Sequence, residues 1–188
     1  LGELWAFPIM LRLALIENLR RVASRVGISR IERDLAGQWV DRMLDVVDRD
    51  PKGLILVVAD MARSDPPMTA PFVSELARRL HGRSAALALP LSWVEQHLGE
   101  TQQTIERLVQ AEGQSQAAAQ VSVSNCIGSL RLLGAVDWRD FVETLSQVEQ
   151  ILRQDPAGVH ARMDFSSRDR YRHVVEDIAH RSASSESA

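Results

Sequence analysis

Apolar residues recur at intervals of three and four along most of the chain, the spacing of helices that bury one face, and this predicts an all-α fold, an irregular bundle of roughly eight to ten helices without a sheet. Leu4, Phe7, Leu11, Leu15, Leu19, Val22 and Val26 form one stripe, which Trp5, Ile9, Leu13 and Ile16 widen to most of the circumference. A helix apolar nearly all round should be deeply buried. Pro8 places its start or a kink, and Gly27 is placed as its C-terminal cap. Ser29 and Glu32 have the spacing of a capping box, which opens a second helix to about Arg49 with the seam Ile31, Leu35, Trp39, Val40, Met43, Leu44 and Val47.

Asp50-Pro51 is an N-cap followed by a proline suited to a first turn, and helical spacing continues through Arg63. Ser64-Asp65-Pro66-Pro67 is a rigid turn; Thr69-Ala70-Pro71 starts a helix that Gly82 ends, and Pro90 restarts one through Trp93, Val94 and Leu98. The stretch from Thr101 to Ala119 is rich in Gln and Glu around a thin seam of Ile105, Leu108 and Val109, as expected of a surface helix or of one that meets another domain.

From Gln114 to His173 the apolar positions Val121, Ile127, Leu130 and Leu133 are followed, after a break at Gly134, by Phe141, Val142, Leu145, Val148, Ile151 and Leu152. This stretch is the expected centre of the core, with Asp137 and Ser167 as N-caps. A last helix from Arg168 to Arg181 should turn Val174, Val175 and Ile178 inward. The organisation expected is one helical domain over residues 1–181, then a Ser-rich tail over 182–188 too poor in apolar residues to order itself.

Length and composition agree with a globular domain: 188 residues, 45% hydrophobic and 25% charged. The formal net charge of -3 gives no general attraction to nucleic acid, and no nucleic-acid partner is expected. The apolar run from Leu4 to Ile16 is interrupted by Pro8 and Arg12 and falls short of the ~20 residues of a membrane span. The first residue is Leu1, which suggests a piece of a longer protein. Cys126, the only cysteine, sits on an apolar helix with no His or Lys within a turn, and reads as a small packed side chain.

Catalytic signatures are few. The histidines at 81, 97, 160, 173 and 180 form no metal-ligand pair, and no phosphate-binding Gly-rich loop, nucleophile elbow or Asp-x-Asp pair occurs. No catalytic residue, metal or cofactor is therefore assigned. The densest polar cluster runs from Asp164 to His173, where Arg168, Arg170, Arg172 and His173 are candidates for binding an anion at a helix start. The alternative is a capped helix start in which Asp164 and Asp169 pair with those arginines. Trp138 and Trp93 are candidates for stacking on a sugar, against the commoner role of tryptophan in a core.

Three segments carry a more specific resemblance: Leu1-Gly2-Glu3-Leu4-Trp5-Ala6-Phe7-Pro8 continuing to Arg21, Asp137-Trp138-Arg139-Asp140-Phe141-Val142-Glu143, and Asp155-Pro156-Ala157-Gly158-Val159 running into Met163-Asp164-Phe165-Ser166-Ser167-Arg168-Asp169-Arg170-Tyr171-Arg172-His173. Together they resemble the N-terminal helical region of bacterial cyclic beta-1,2-glucan synthases, the part that precedes the glycosyltransferase module. The resemblance implies a parent protein of the inner membrane whose transferase uses UDP-glucose, with this piece on the cytoplasmic side. It implies a non-catalytic accessory or scaffold role, with the other domains of the synthase as partners, since none of the family's catalytic motifs lies here. The alternative under the same resemblance is a module that binds UDP-glucose or beta-1,2-glucan.

Overall fold

The all-helical expectation is met by eight α-helices, with no strand among the described residues. The structure, a computed structural model, describes residues 2–182, with side chains from residue 6 onward; the greater part of the proposed tail lies outside them. The helices are α1 (Gly2–Arg49), α2 (Leu54–Arg63), α3 (Ala70–Leu80), α4 (Ala88–Gly99), α5 (Ile105–Ala135), α6 (Trp138–Leu145), α7 (Gln147–Leu152) and α8 (Phe165–Arg181), with single 3-10 turns at Pro51–Gly53, Ala85–Leu87 and His160–Arg162. They group into two compact units, one of residues 19–124 and one of residues 1–18 with 125–188.

The unit of residues 19–124 holds the apolar core. Ala36, Trp39, Val40 and Met43 line one face of α1 at intervals of three and four; of the seam read from the sequence, Trp39, Val40 and Met43 are buried and Leu35, Leu44 and Val47 pack against them, while Ile31 at its start is 70% exposed. Against them lie Leu54, Val58 and Met61 of α2, Phe72, Val73, Leu76 and Leu80 of α3, Leu87, Val94 and Leu98 of the following turn and α4, and Ile105 of α5. The punctuation holds as expected: Asp50 accepts from the Lys52 amide, and Gly82, at φ +75, takes the left-handed conformation that a side chain would resist.

Gly27 and Ser29 do not divide two helices, because α1 runs unbroken from Gly2 to Arg49. A glycine inside a helix costs about 1 kcal/mol relative to alanine, which the burial of Val22, Ala36, Val40 and Met43 on the same helix offsets. Glycine is thus a tolerated defect there rather than a cap. A Cβ at Gly27 would meet nothing within 4 Å. Gly27→Ala is therefore expected to raise the stability of the chain by up to about 1 kcal/mol, seen as a higher thermal midpoint by circular dichroism.

The early part of α1 is not deeply buried. Phe7, Ile9, Met10, Leu13 and Ile16 are each 48–64% exposed. Nor is the stretch from Gln114 to His173 the centre of the apolar core: Val121, Ile127, Leu145 and Ile151 are 41–58% exposed. For Leu145 and Ile151 the cause is a break at Ser146, whose extended backbone separates α6 from α7 and whose hydroxyl caps the amide of Glu149. That break resets the helical phase, turning Leu145 and Ile151 to solvent and Glu149 inward.

Candidate functional site

Glu143 on α6, Glu149 on α7, Arg153 just after it, and Arg168, Asp169 and Arg172 on α8 converge within the unit of residues 1–18 and 125–188. Their neighbours are few apolar groups: Cys126, Leu133, Val142 and Val148 are buried there, together with Glu143, Ser146, Glu149, His160 and Arg172. Charge, rather than apolar area, fills this interior.

Each helix start is built to deliver its residue. Asp137 accepts from the amides of Arg139 and Asp140 and opens α6, as the sequence indicates. Ser167 is not the N-cap of α8; Asp164 is, and its carboxylate accepts from the Ser167 amide at 2.8 Å and from the Ser167 hydroxyl. With the cap three residues earlier, the inward face of α8 carries Arg168 and Arg172, while Val174 and Ile178 stand 50% and 61% exposed. The loop before α8 is wound around Asp155, which accepts from the amides of Ala157, Val159 and His160. Those three donors hold the Asp155 carboxyl below its ordinary range and place the His160 ring over the cluster.

Arg168 grips Glu143 with two parallel bonds, Nε to Oε1 at 2.9 Å and Nη2 to Oε2 at 3.0 Å. Arg172 donates from Nη1 to Glu149 at 2.6 Å and from Nη2 to Asp169 at 2.9 Å. Arg153 closes the far side, with Nε on Glu149 at 2.8 Å and Nη2 on Glu143 at 3.0 Å, and His160 Nε2 meets Glu149 at 3.1 Å. The Arg172 guanidinium also packs on the Phe165 ring, 5.1 Å from its centroid, and Arg139 approaches the same ring. Three guanidiniums thus face three carboxylates, and the charges balance.

Burial pushes the Glu149 carboxyl up, but hydrogen bonds from Arg153, His160 and Arg172 and the positive charge of Arg172 outweigh it, holding the group at about 2 against an ordinary 4.5. Burial works against the charged form of Arg172 too, yet Asp169 and Glu149 raise it above its ordinary value. A carboxyl whose pKa is lower in the folded than in the unfolded chain contributes stability above its unfolded value, and that contribution is lost as pH falls through the folded one. Between about pH 4.5 and about pH 2, Glu149 is expected to withdraw about 3 kcal/mol from the folded state. Urea midpoints measured across that interval check this, and a flat profile would contradict it.

The basic residues singled out from the sequence do not converge. Arg168 and Arg172 face into the cluster, whereas Arg170 points the other way and is exposed. His173 is half exposed, with Nδ1 donating to the Asp169 carbonyl at 2.8 Å. Asp169 does pair with Arg172 as the capped-helix reading has it, but the principal partners of Arg168 are on α6. Trp138 is half buried, donates to the Leu133 carbonyl at 2.9 Å and meets Phe141 edge-on. Trp93 lies in the other unit, stacked with His97 at 5.6 Å beside an apolar groove lined by Ile55, Val58 and Leu89. Cys126 is packed as expected, with the Asn18 amide at 3.2 Å from its sulfur. No group of His, Cys, Asp and Glu among the described residues is placed to hold a metal ion, and no described helix is long and apolar enough to cross a membrane.

Glu143, Glu149, Arg153 and His160 were not singled out from the sequence. One signal bore on Glu149 alone: in an unbroken helix it would fall on the apolar spacing of Val142, Leu145 and Leu152, and an acid there needs a cation as partner, although the break at Ser146 is what turns it inward. The cations were visible on α8, but their pairing across the chain was not.

Fold and cluster define a helical segment whose last three helices are clamped by a buried, charge-balanced network. The chain is 33% identical over 186 residues, 99% of its length, to the cyclic beta-(1,2)-glucan synthase NdvB of Rhizobium meliloti (strain 1021), and it spans only 6% of that protein. The resemblance to a cyclic beta-1,2-glucan synthase, read from the sequence over nearly the whole chain, holds along its length. No family model matches the chain. No solved structure matches it.

Proposed function

We propose that this chain is a helical accessory segment of a cyclic beta-1,2-glucan synthase, without catalytic residues of its own, that packs onto other domains of the same protein. The observation that carries this reading is the identity along 99% of the chain to a slice amounting to 6% of a synthase. In the parent protein, at the cytoplasmic side of the inner membrane, it supports the module that transfers glucose from UDP-glucose. Two features of the side chains support a scaffold. The cluster joins α6, α7 and α8 with its arginines and carboxylates already paired to one another. Within the unit of residues 19–124, α1 and α5 flank an open groove of about 450 Å³, lined by Val22, Val26, Ala119 and Val123 and by the polar Arg33, Gln116, Gln120 and Ser124. An apolar surface with a polar rim suits an incoming helix of a neighbouring domain.

The test is made in the full-length synthase. Deletion of this segment, or Val123→Asp in the groove, is expected to abolish or sharply reduce cyclic glucan formed from UDP-glucose by membranes that contain the protein. Unchanged synthesis at an unchanged protein level sinks the reading. A carbohydrate-binding role has one observation in its favour, Arg170 and the Tyr171 hydroxyl on the outer face of α8, neither with a hydrogen-bond partner among the described residues.

A further inference from the structure

Ser167, Arg170, Tyr171 and Val174 project from one stripe of α8 and line a depression of about 300 Å³. Arg168 and Arg172, one residue away on either side, are spent on Glu143, Glu149 and Asp169. Arg170 makes no hydrogen bond or ion pair with any described residue. Tyr171 is 51% exposed, and the His160 ring meets it edge-on at 6.3 Å. His160 is itself only 5% exposed and is fixed by Glu149 on its ring and Asp155 on its backbone. The buried cluster therefore braces the Tyr171 ring from behind, while the phenolic hydroxyl has no hydrogen-bond partner among the described residues. The Ser167 hydroxyl donates to Asp164, which leaves its lone pairs free to accept.

We propose that this depression is a subsite for one pyranose ring of a neutral glucan. An aromatic ring with a polar tip offers a sugar an apolar face for its C–H bonds and a hydroxyl at the edge. The Arg170 guanidinium presents donors in a fixed fork that spans two adjacent ring hydroxyls, and Ser167 accepts from a third. Val174 adds an apolar surface beside them. The volume lies at the lower end of the range for small-ligand sites, which suits a single ring. Charge decides against a nucleotide diphosphate: Arg170 is the one uncompensated cation lining the depression among the described residues, and its neighbours on α8 are neutralised. That the sugar is a glucose unit rests on the accessory-segment reading above; that the site takes a sugar rests on the side chains.

The experiment is a titration of the 188-residue chain with the β-1,2-linked disaccharide of glucose and, separately, with UDP, followed by amide NMR. Saturable shifts over residues 167–174 with the disaccharide are expected, with a dissociation constant near ~1 mM for so small a ligand. Arg170→Gln and Tyr171→Ala should each weaken binding about tenfold, and Tyr171→Phe, which keeps the ring, much less. Both positions are exposed, so these variants keep the fold, which their amide spectra report directly. Shifts with UDP but not with the disaccharide, or no saturable shift with either, overturn the subsite. Loss of glucan synthesis on deletion without disaccharide binding would remove the subsite and leave the accessory role, whereas binding with unchanged synthesis would do the reverse.

Discussion

Arg172→Ala is expected to destabilise the chain by about 3 to 5 kcal/mol, read as a lower urea midpoint at neutral pH. Arg172 has no exposed surface, and Glu149, its partner at 2.6 Å, has none either. Removing one member of a buried ion pair leaves the other desolvated without its counter-charge, and that penalty exceeds the net worth of the intact pair. Arg153 and His160 still reach Glu149 in the variant, which keeps the loss at the lower end of the range. Arg172→Lys should fall between wild type and alanine, because one ammonium cannot reproduce the planar fork that meets Glu149 and Asp169 together. Arg170→Ala, one turn-face away and exposed, should change stability by about 0.5 kcal/mol or less. Equal midpoints for the Arg172 and Arg170 variants would show that the cluster does not hold this unit.

The same variant should alter the acid profile. In wild type the stabilisation by Glu149 fades as pH falls from about 4.5 toward 2, the value at which its donors hold it. In Arg172→Ala, Glu149 has lost one of those donors and its carboxyl rises, so part of the stability has gone before acid is added. The gap between wild type and variant is therefore widest near neutrality and narrows toward pH 2. Asp155 and Asp164, both held low by backbone amides, lose their contributions in the same direction in both proteins.

Where a helix buries apolar residues on one side only, the pattern of the chain shows it directly. The seam Trp39, Val40 and Met43, the turn at Ser64 to Pro67 and the caps Asp50 and Asp137 all stand where the residues place them. Capping chemistry is less decisive when two competent residues lie close together: Asp164 and Ser167 can each cap α8, and the carboxylate takes the role with the hydroxyl as one of its donors. The sequence cannot state how a local defect is settled. Gly27 and Ser29 carry the marks of a helix end, yet α1 runs through them, with its buried residues on either side, Val22 before and Ala36, Val40 and Met43 after. At Ser146 the reverse occurs, since nothing in Thr144-Leu145-Ser146-Gln147 excludes helix and the chain still breaks there.

The site was legible in its cations and not in their use. Arg168, Arg170 and Arg172 alternate along α8, so two must share a face that the third does not, but only the partners on α6 and α7 decide which face is inside. Those partners lie about 20 to 25 residues upstream, beyond the reach of any spacing rule within one helix.

Phe72→Ala should match the Arg172 variant in size and differ from it in character. Phe72 is fully buried on α3 among Val40, Met43, Met61 and Val94 of the surrounding helices, all in the unit of residues 19–124. Deleting its ring removes apolar contact and leaves a cavity, at a cost of about 3 to 5 kcal/mol. None of the buried residues in that core is titratable, so the loss should be the same at pH 7 and at pH 3. Urea titrations of Phe72→Ala and Arg172→Ala at those two values separate the two kinds of interior. The phenylalanine deficit stays constant while the arginine deficit shrinks with acid. If instead both deficits shrink together, acid has loosened the apolar core as well, and its stability is coupled to the charge cluster.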